Sequence, residues 1–144
     1  MGIVMKVCGV EIKSNEVIVC LLNLEDGLFQ IPDCRVRRLS LSNINSTQHL
    51  REFQFAFAKL MSDYKVEKVA IKQRPMKGKF AGGAVGFKLE AAIELIGDLN
   101  IELISATQAK QVLKEQPLPV EFSATGLKAF QEPAFVTAYV ACMA

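Results

Sequence analysis

The stretch MKVCGVEIKSNEVIVCLL, Met5 to Leu22, decides the architecture. Met5 to Val10 is mostly apolar, Lys13-Ser14-Asn15 supplies turn residues, and Val17 to Leu22 is an unbroken apolar run. Such a run suits a strand covered on both faces. Two strands joined by so short a turn pair antiparallel. Glu25-Asp26-Gly27 is a second turn signal. A third strand is predicted over Cys34 to Leu41, with Arg35, Arg37 and Arg38 marking a more exposed edge.

Beyond this meander the periodicity changes. Ser42 to Thr47 is a polar loop, after which Leu50, Phe53, Phe57, Leu60 and Tyr64 recur at helical spacing, with Ser46 or Thr47 as cap. Glu67 to Ile71 reads as a short strand, and a glycine-rich loop leads into a second helix carrying Val85, Leu89, Ala92, Ile93 and Ile96. Ile101 to Ile104 is another strand. Ser105 or Thr107 caps a third helix, which Pro117 and Pro119 end. Residues 118–126 read as a loop, and a last helix starts at Pro133, a favoured first helical position. The order β-β-β-α-β-α-β-α-α predicts an α/β protein with a mixed five-stranded sheet. Its three-strand antiparallel meander is followed by two parallel strands, and helices flank the sheet. No linker, repeat or low-complexity tract divides residues 1–144, so a single domain is expected.

The composition agrees. With 144 residues, 51% hydrophobic and 22% charged, the chain can bury a sizeable core, which excludes a largely disordered protein. No run of about 18 apolar residues calls for a membrane span. Glu11 interrupts the N-terminal apolar stretch too early for a signal peptide, so a cytoplasmic location and no membrane partner are expected. The net charge of +2 names no partner. Cys8, Cys20, Cys34 and Cys142 form no C-x-x-C pair and read as small core hydrophobes rather than zinc ligands or disulfides. The single histidine, His49, falls at a helix start, which gives Ser-His or Cys-His catalysis no support.

The order of elements is that of ribonuclease H-like proteins, and several short stretches resemble their Holliday-junction resolvase branch. Val7-Cys8-Gly9-Val10-Glu11 resembles that branch's first strand, Val69-Ala70-Ile71 its fourth, and Gly82 to Leu95 the helix after it. Glu102 to Lys110 is similar to its fifth strand and next helix start, and Glu132 to Ala138 to its acid-bearing final helix. More specifically, Arg74 to Lys88, RPMKGKFAGGAVGFK, resembles the signature of a small family of uncharacterised bacterial proteins grouped with this fold.

The resolvase resemblance implies divalent metals, Mg²⁺ or Mn²⁺, held by about four carboxylates. Hard cations prefer oxygen ligands, and two such ions stabilise the attacking and leaving oxygens of a phosphodiester. On that pattern Glu11 is the first-strand acid and Glu132 the earlier acid of the last helix, making these the candidate metal ligands and catalytic residues. The acid after the fourth strand falls near Lys72 or Gln73, and the later helix acid falls on Phe135. Glu11 reads equally as a solvated strand-end carboxylate paired with Lys13. Glu132 reads as a helix N-terminal charge, favourable by about 0.3–1 kcal/mol.

Between Lys68 and Lys88 stand six basic residues, Lys68, Lys72, Arg74, Lys77, Lys79 and Lys88, with no acid among them. Gly82 and Gly83 precede a helix whose free N–H groups suit a phosphate, and Phe80 suits stacking on a base. Lys72, Arg74, Lys77, Lys79, Phe80, Gly82, Gly83 and Lys88 are therefore the candidate nucleic-acid contacts, and Arg35, Arg37 and Arg38 extend the basic surface if they face the same way. A solvated loop is the alternative. No G-x-x-x-x-G-K-S/T motif occurs, which excludes a P-loop. Three functions are compatible with these residues: a nucleic-acid-binding protein with a degraded or absent nuclease centre, an active divalent-metal-dependent nuclease, or a non-catalytic protein-interaction module. A homodimer is the oligomer to test for.

Overall fold

Strands β1 (Val4–Lys13) and β2 (Glu16–Glu25) form a hairpin ten residues long on each side, closed by Ser14-Asn15 with Ser14 at φ 57°. The computed structural model describes residues 4–74 and 83–143. At the far end of β2, Asp26 (φ 52°) and Gly27 (φ 78°) make a two-residue turn with both residues at positive φ, a type I′ pattern matched to strand twist.

The outer edge of β2 differs from the predicted third strand. Instead of one strand over Cys34 to Leu41, β3 (Leu28–Gln30) pairs with the C-terminal end of β2, and β4 (Arg38–Ser40) pairs with its N-terminal end. Continued from β3, the register would set Arg35 opposite Ile18; Arg38 stands there instead. Pro32 lies at the break, and a residue without an N–H cannot continue the ladder. The intervening segment returns to β2 through a hydrogen bond from Val19 N to Arg37 O, 3.0 Å long.

The remaining elements match the sequence pattern. Helix α1 (Thr47–Asp63) is capped by Ser46, whose hydroxyl accepts from His49 N. Strand β5 (Lys68–Lys72) leads to α2 (Ala84–Glu94), then β6 (Ile101–Ile104), α3 (Ala106–Glu115, capped by Ser105) and α4 (Glu132–Met143). The sheet order is β3-β2-β1-β5-β6, with β4 sharing the outer edge of β2. β1 is antiparallel to β2 and parallel to β5, and β5 is parallel to β6.

Alternation along the strands divides the core into two layers. Val10, Val19 and Ile71 face α1 and α2, packing on Phe57, Leu60, Leu89 and Ile93. Val7, Ile18 and Ala70 face α4, packing on Ala134, Ala138 and Val140. Small residues bring α4 close to the sheet: a Cβ on Gly9 would collide with the carbonyl of Ala134 and stand 2.8 Å from Ala138 Cβ. Among the described residues no helix is long and apolar enough to cross a membrane.

Candidate nucleic-acid interface

The parallel register of β1 and β5 sets Val10 beside Ile71, so the next residues, Glu11 and Lys72, share the α4 face. Lys72 Nζ lies 3.7 Å from Glu11 Oε2. The Glu11 side chain is 18% exposed and that of Lys72 52%. Solvent on the lysine keeps the pair to about 0–1 kcal/mol. Its weight is chemical: Lys72, one of the two positions (with Gln73) near which the resolvase resemblance implies a second carboxylate, presents an ammonium to the first.

The remaining two positions of that pattern diverge from each other. Glu132 opens α4 and is exposed. Phe135, one turn later, is buried with its ring centroid 5.9 Å from that of Phe122. Among the described residues no group of three or more His, Cys, Asp or Glu side chains is placed to hold a metal ion. A divalent cation requires several converging oxygens. A carboxylate engaged by an ammonium, a lysine and a buried phenyl ring do not fit one.

Each described cation of the Lys68 to Lys88 segment has a partner within the fold. Lys68 pairs with Glu102. Arg74 lays its guanidinium over the ring of Phe87, 4.5 Å from the centroid, and Nη2 donates to Gly83 O at 3.3 Å. Its seat exists because Gly86 has no side chain; a Cβ there would collide with the guanidinium. Lys88 Nζ donates to Ile44 O at 2.7 Å, tying α2 to the loop before α1. Gly83 is the N-cap of α2 and makes no side-chain capping bond, which leaves the helix's first N–H groups without that partner. Lys77, Lys79, Phe80 and Gly82 lie outside the described residues.

A second basic surface lies at the β2 edge of the sheet, where β4 pairs. Arg35, Arg37 and Arg38 come together there with Lys128 and Phe130 from the stretch before α4. The arginine-rich run signalled the first three in the sequence. Nothing local signalled Lys128 and Phe130, which sit in a segment without periodicity. The guanidinium of Arg35 forms an ion pair with Asp63 at 2.7 Å, and this bond holds the Asp63 carboxyl below the usual aspartate range.

No thiol here is primed for chemistry. Cys8 and Cys20 are buried, and burial pushes the Cys20 thiol up to about 12. Reactive cysteines need the opposite shift.

The sheet order, the two parallel crossovers and the helix closing over the central strand make a ribonuclease H-like fold. Two solved structures of Thermus thermophilus RuvC share the fold. One superposes with a TM-score of 0.73 at 12% identity, over 96% of this chain and 94% of that one. The other, in complex with a Holliday junction substrate, gives 0.73 at 11% identity, over 96% and 93%. By sequence, no curated protein matches. The chain belongs to the family described as "Protein of unknown function (DUF3010)", whose profile matches residues 5–141.

Proposed function

We propose that this protein binds nucleic acid through a ribonuclease H-like fold whose nuclease centre is degraded. The observation that carries this is the Glu11–Lys72 contact at 3.7 Å, an ion pair where a metal-dependent nuclease of this pattern gathers carboxylates. Burial of Phe135 at another of those positions supports the same reading. Nucleic acid is the ligand of a solved protein of this fold, the Thermus RuvC bound to a Holliday junction substrate. The basic run from Lys68 to Lys88 supplies the chemistry to hold phosphates, and its half-exposed Lys72 is held by a pair weak enough to exchange for one.

The test uses the full chain and its Glu11→Ala variant with labelled single-strand, duplex, four-way-junction and RNA substrates, in Mg²⁺ or Mn²⁺, at low and moderate salt. Bound and cleaved fractions are read from the same samples. The expected result is binding that weakens steeply with salt, without cleavage. Cleavage that disappears in Glu11→Ala would make the protein a metal-dependent nuclease. Neither binding nor cleavage would leave a protein-interaction module.

A further inference from the structure

The geometry points to a second phosphate-binding surface, a groove formed by Arg35, Arg37, Arg38, Lys128 and Phe130 that takes the sugar-phosphate backbone of a nucleic-acid strand. It rests on the proposed nucleic-acid binding and adds a site remote in sequence from the Lys68 to Lys88 run.

The break between β3 and β4 builds this groove. In a continuous strand Arg37 and Arg38 would point to opposite faces of the sheet. Arg37 still bonds to β2 through Val19 N, yet Arg35, Arg37 and Arg38 all line one open groove of about 420 Å³ with Val36, Lys128 and Phe130. Among the described residues no carboxylate lines it. The Arg38 guanidinium lies over the Phe130 ring, 4.5 Å from its centroid, which fixes its plane and leaves N–H edges free. Arg38 also pairs with Glu16 at 3.5 Å, and Arg35 with Asp63. Both arginines are about half exposed, so these pairs are weak and leave further donors on each fork. Arg37 and Lys128 take part in none of the ion pairs among the described residues.

Two features favour a strand over a small anion. The groove is open rather than enclosed, whereas small-molecule sites bury most of their ligand. It also lies in register with the candidate centre, across the buried Ile18. Arg38 stands opposite Ile18, Ile18 opposite Glu11, and Glu11 is level with Lys72, all in one row across the sheet. Three strand spacings, roughly 14 Å at about 4.8 Å each, separate the ends of that row.

The experiment is fluorescence anisotropy of a labelled single-stranded oligonucleotide across a salt series. It compares the wild-type chain, the double variant Arg37→Gln/Lys128→Gln, and the control Lys110→Gln/Lys114→Gln on α3, which comes after the strand at the other sheet edge. All four positions are exposed, and melting curves verify that each variant folds. Losing two phosphate contacts should flatten the log K against log salt slope by about 1.4 for a single strand. The control should keep the wild-type slope. If the groove variant binds like wild type, the groove is wrong and the nucleic-acid reading stands. Equal loss in both variants means diffuse attraction, which overturns the groove. Absence of wild-type binding at low salt overturns both. Two competitors cover the other anions. Polyglutamate binding as tightly as the oligonucleotide would mark an acidic-protein surface, and inorganic tripolyphosphate displacing the oligonucleotide completely at equal phosphate would mark a small-anion site. Either result overturns the proposal.

Discussion

The carbonyl of Ala134 occupies the place a side chain on Gly9 would need. Helix α4 thus meets the central strand backbone to backbone, with no side chain between them. Neither partner can retreat, because β1 is bonded to strands on both sides and α4 is buried along most of its length. Gly9→Ala is expected to destabilise the protein by about 1–3 kcal/mol, the usual cost of overpacking. Gly97→Ala, where a Cβ meets nothing within 4 Å, should stay within about 0.5 kcal/mol of wild type. Urea denaturation of the two variants checks the contrast, and equal midpoints would refute the close packing.

Gln131 fills the gap left by the broken edge strand. Its buried side chain donates to Val19 O at 3.0 Å and accepts from Lys128 N at 3.0 Å. Gln131→Ala leaves both backbone groups without these partners and should cost about 1–3 kcal/mol. A midpoint unchanged in chemical denaturation would mean that water replaces both bonds.

Lys72→Glu places a second carboxylate beside Glu11. Like charges on adjacent strands should lower the melting temperature in chelator, and Mg²⁺ or Mn²⁺ should restore it in the variant but not in wild type. Cation at ten times its Kd adds about 1.4 kcal/mol. Melting curves that do not respond to the cation would show that two adjacent carboxylates alone do not hold it there.

The Glu90 carboxyl is pushed above the ordinary glutamate range, first by burial and then by Glu94, while Arg74 pulls the other way. Between the unfolded value, about 4.3, and the raised folded value, the folded protein holds more protons than the unfolded chain. Stability therefore falls as pH rises through that window. Glu90→Gln should be more stable than wild type at pH 7, with the difference closing toward pH 4. Denaturation midpoints across this range decide it; a wild type that is the more stable at pH 7 would show that attraction to Arg74 outweighs burial.

Much of the fold is legible because its signals are local. The apolar run Val17 to Leu22, the Asp26-Gly27 turn and the Ser46 and Ser105 caps each act within a few residues of themselves. The edge strand is misplaced by its pattern because Arg35, Val36 and Arg37 alternate like a strand, whereas Pro32 and the register change decide the pairing. The Glu11–Lys72 contact depends on which strands become neighbours, and no spacing along the chain encodes that. Lys128 and Phe130 are illegible for the same reason: they reach Arg38 only after α4 has packed on the sheet.

The split edge also governs how the protein meets copies of itself. A ten-residue strand such as β2 with its outer side bare would be a template for pairing with another chain. Here two three-residue strands cover its ends, and Gln131 caps the carbonyl of Val19 between them. The other border of the sheet, β6, is only four residues long. Among the described residues neither border offers a long ladder, so sheet-to-sheet self-association is disfavoured at both. The interruption that gathers the arginines thus also shields the sheet against aggregation.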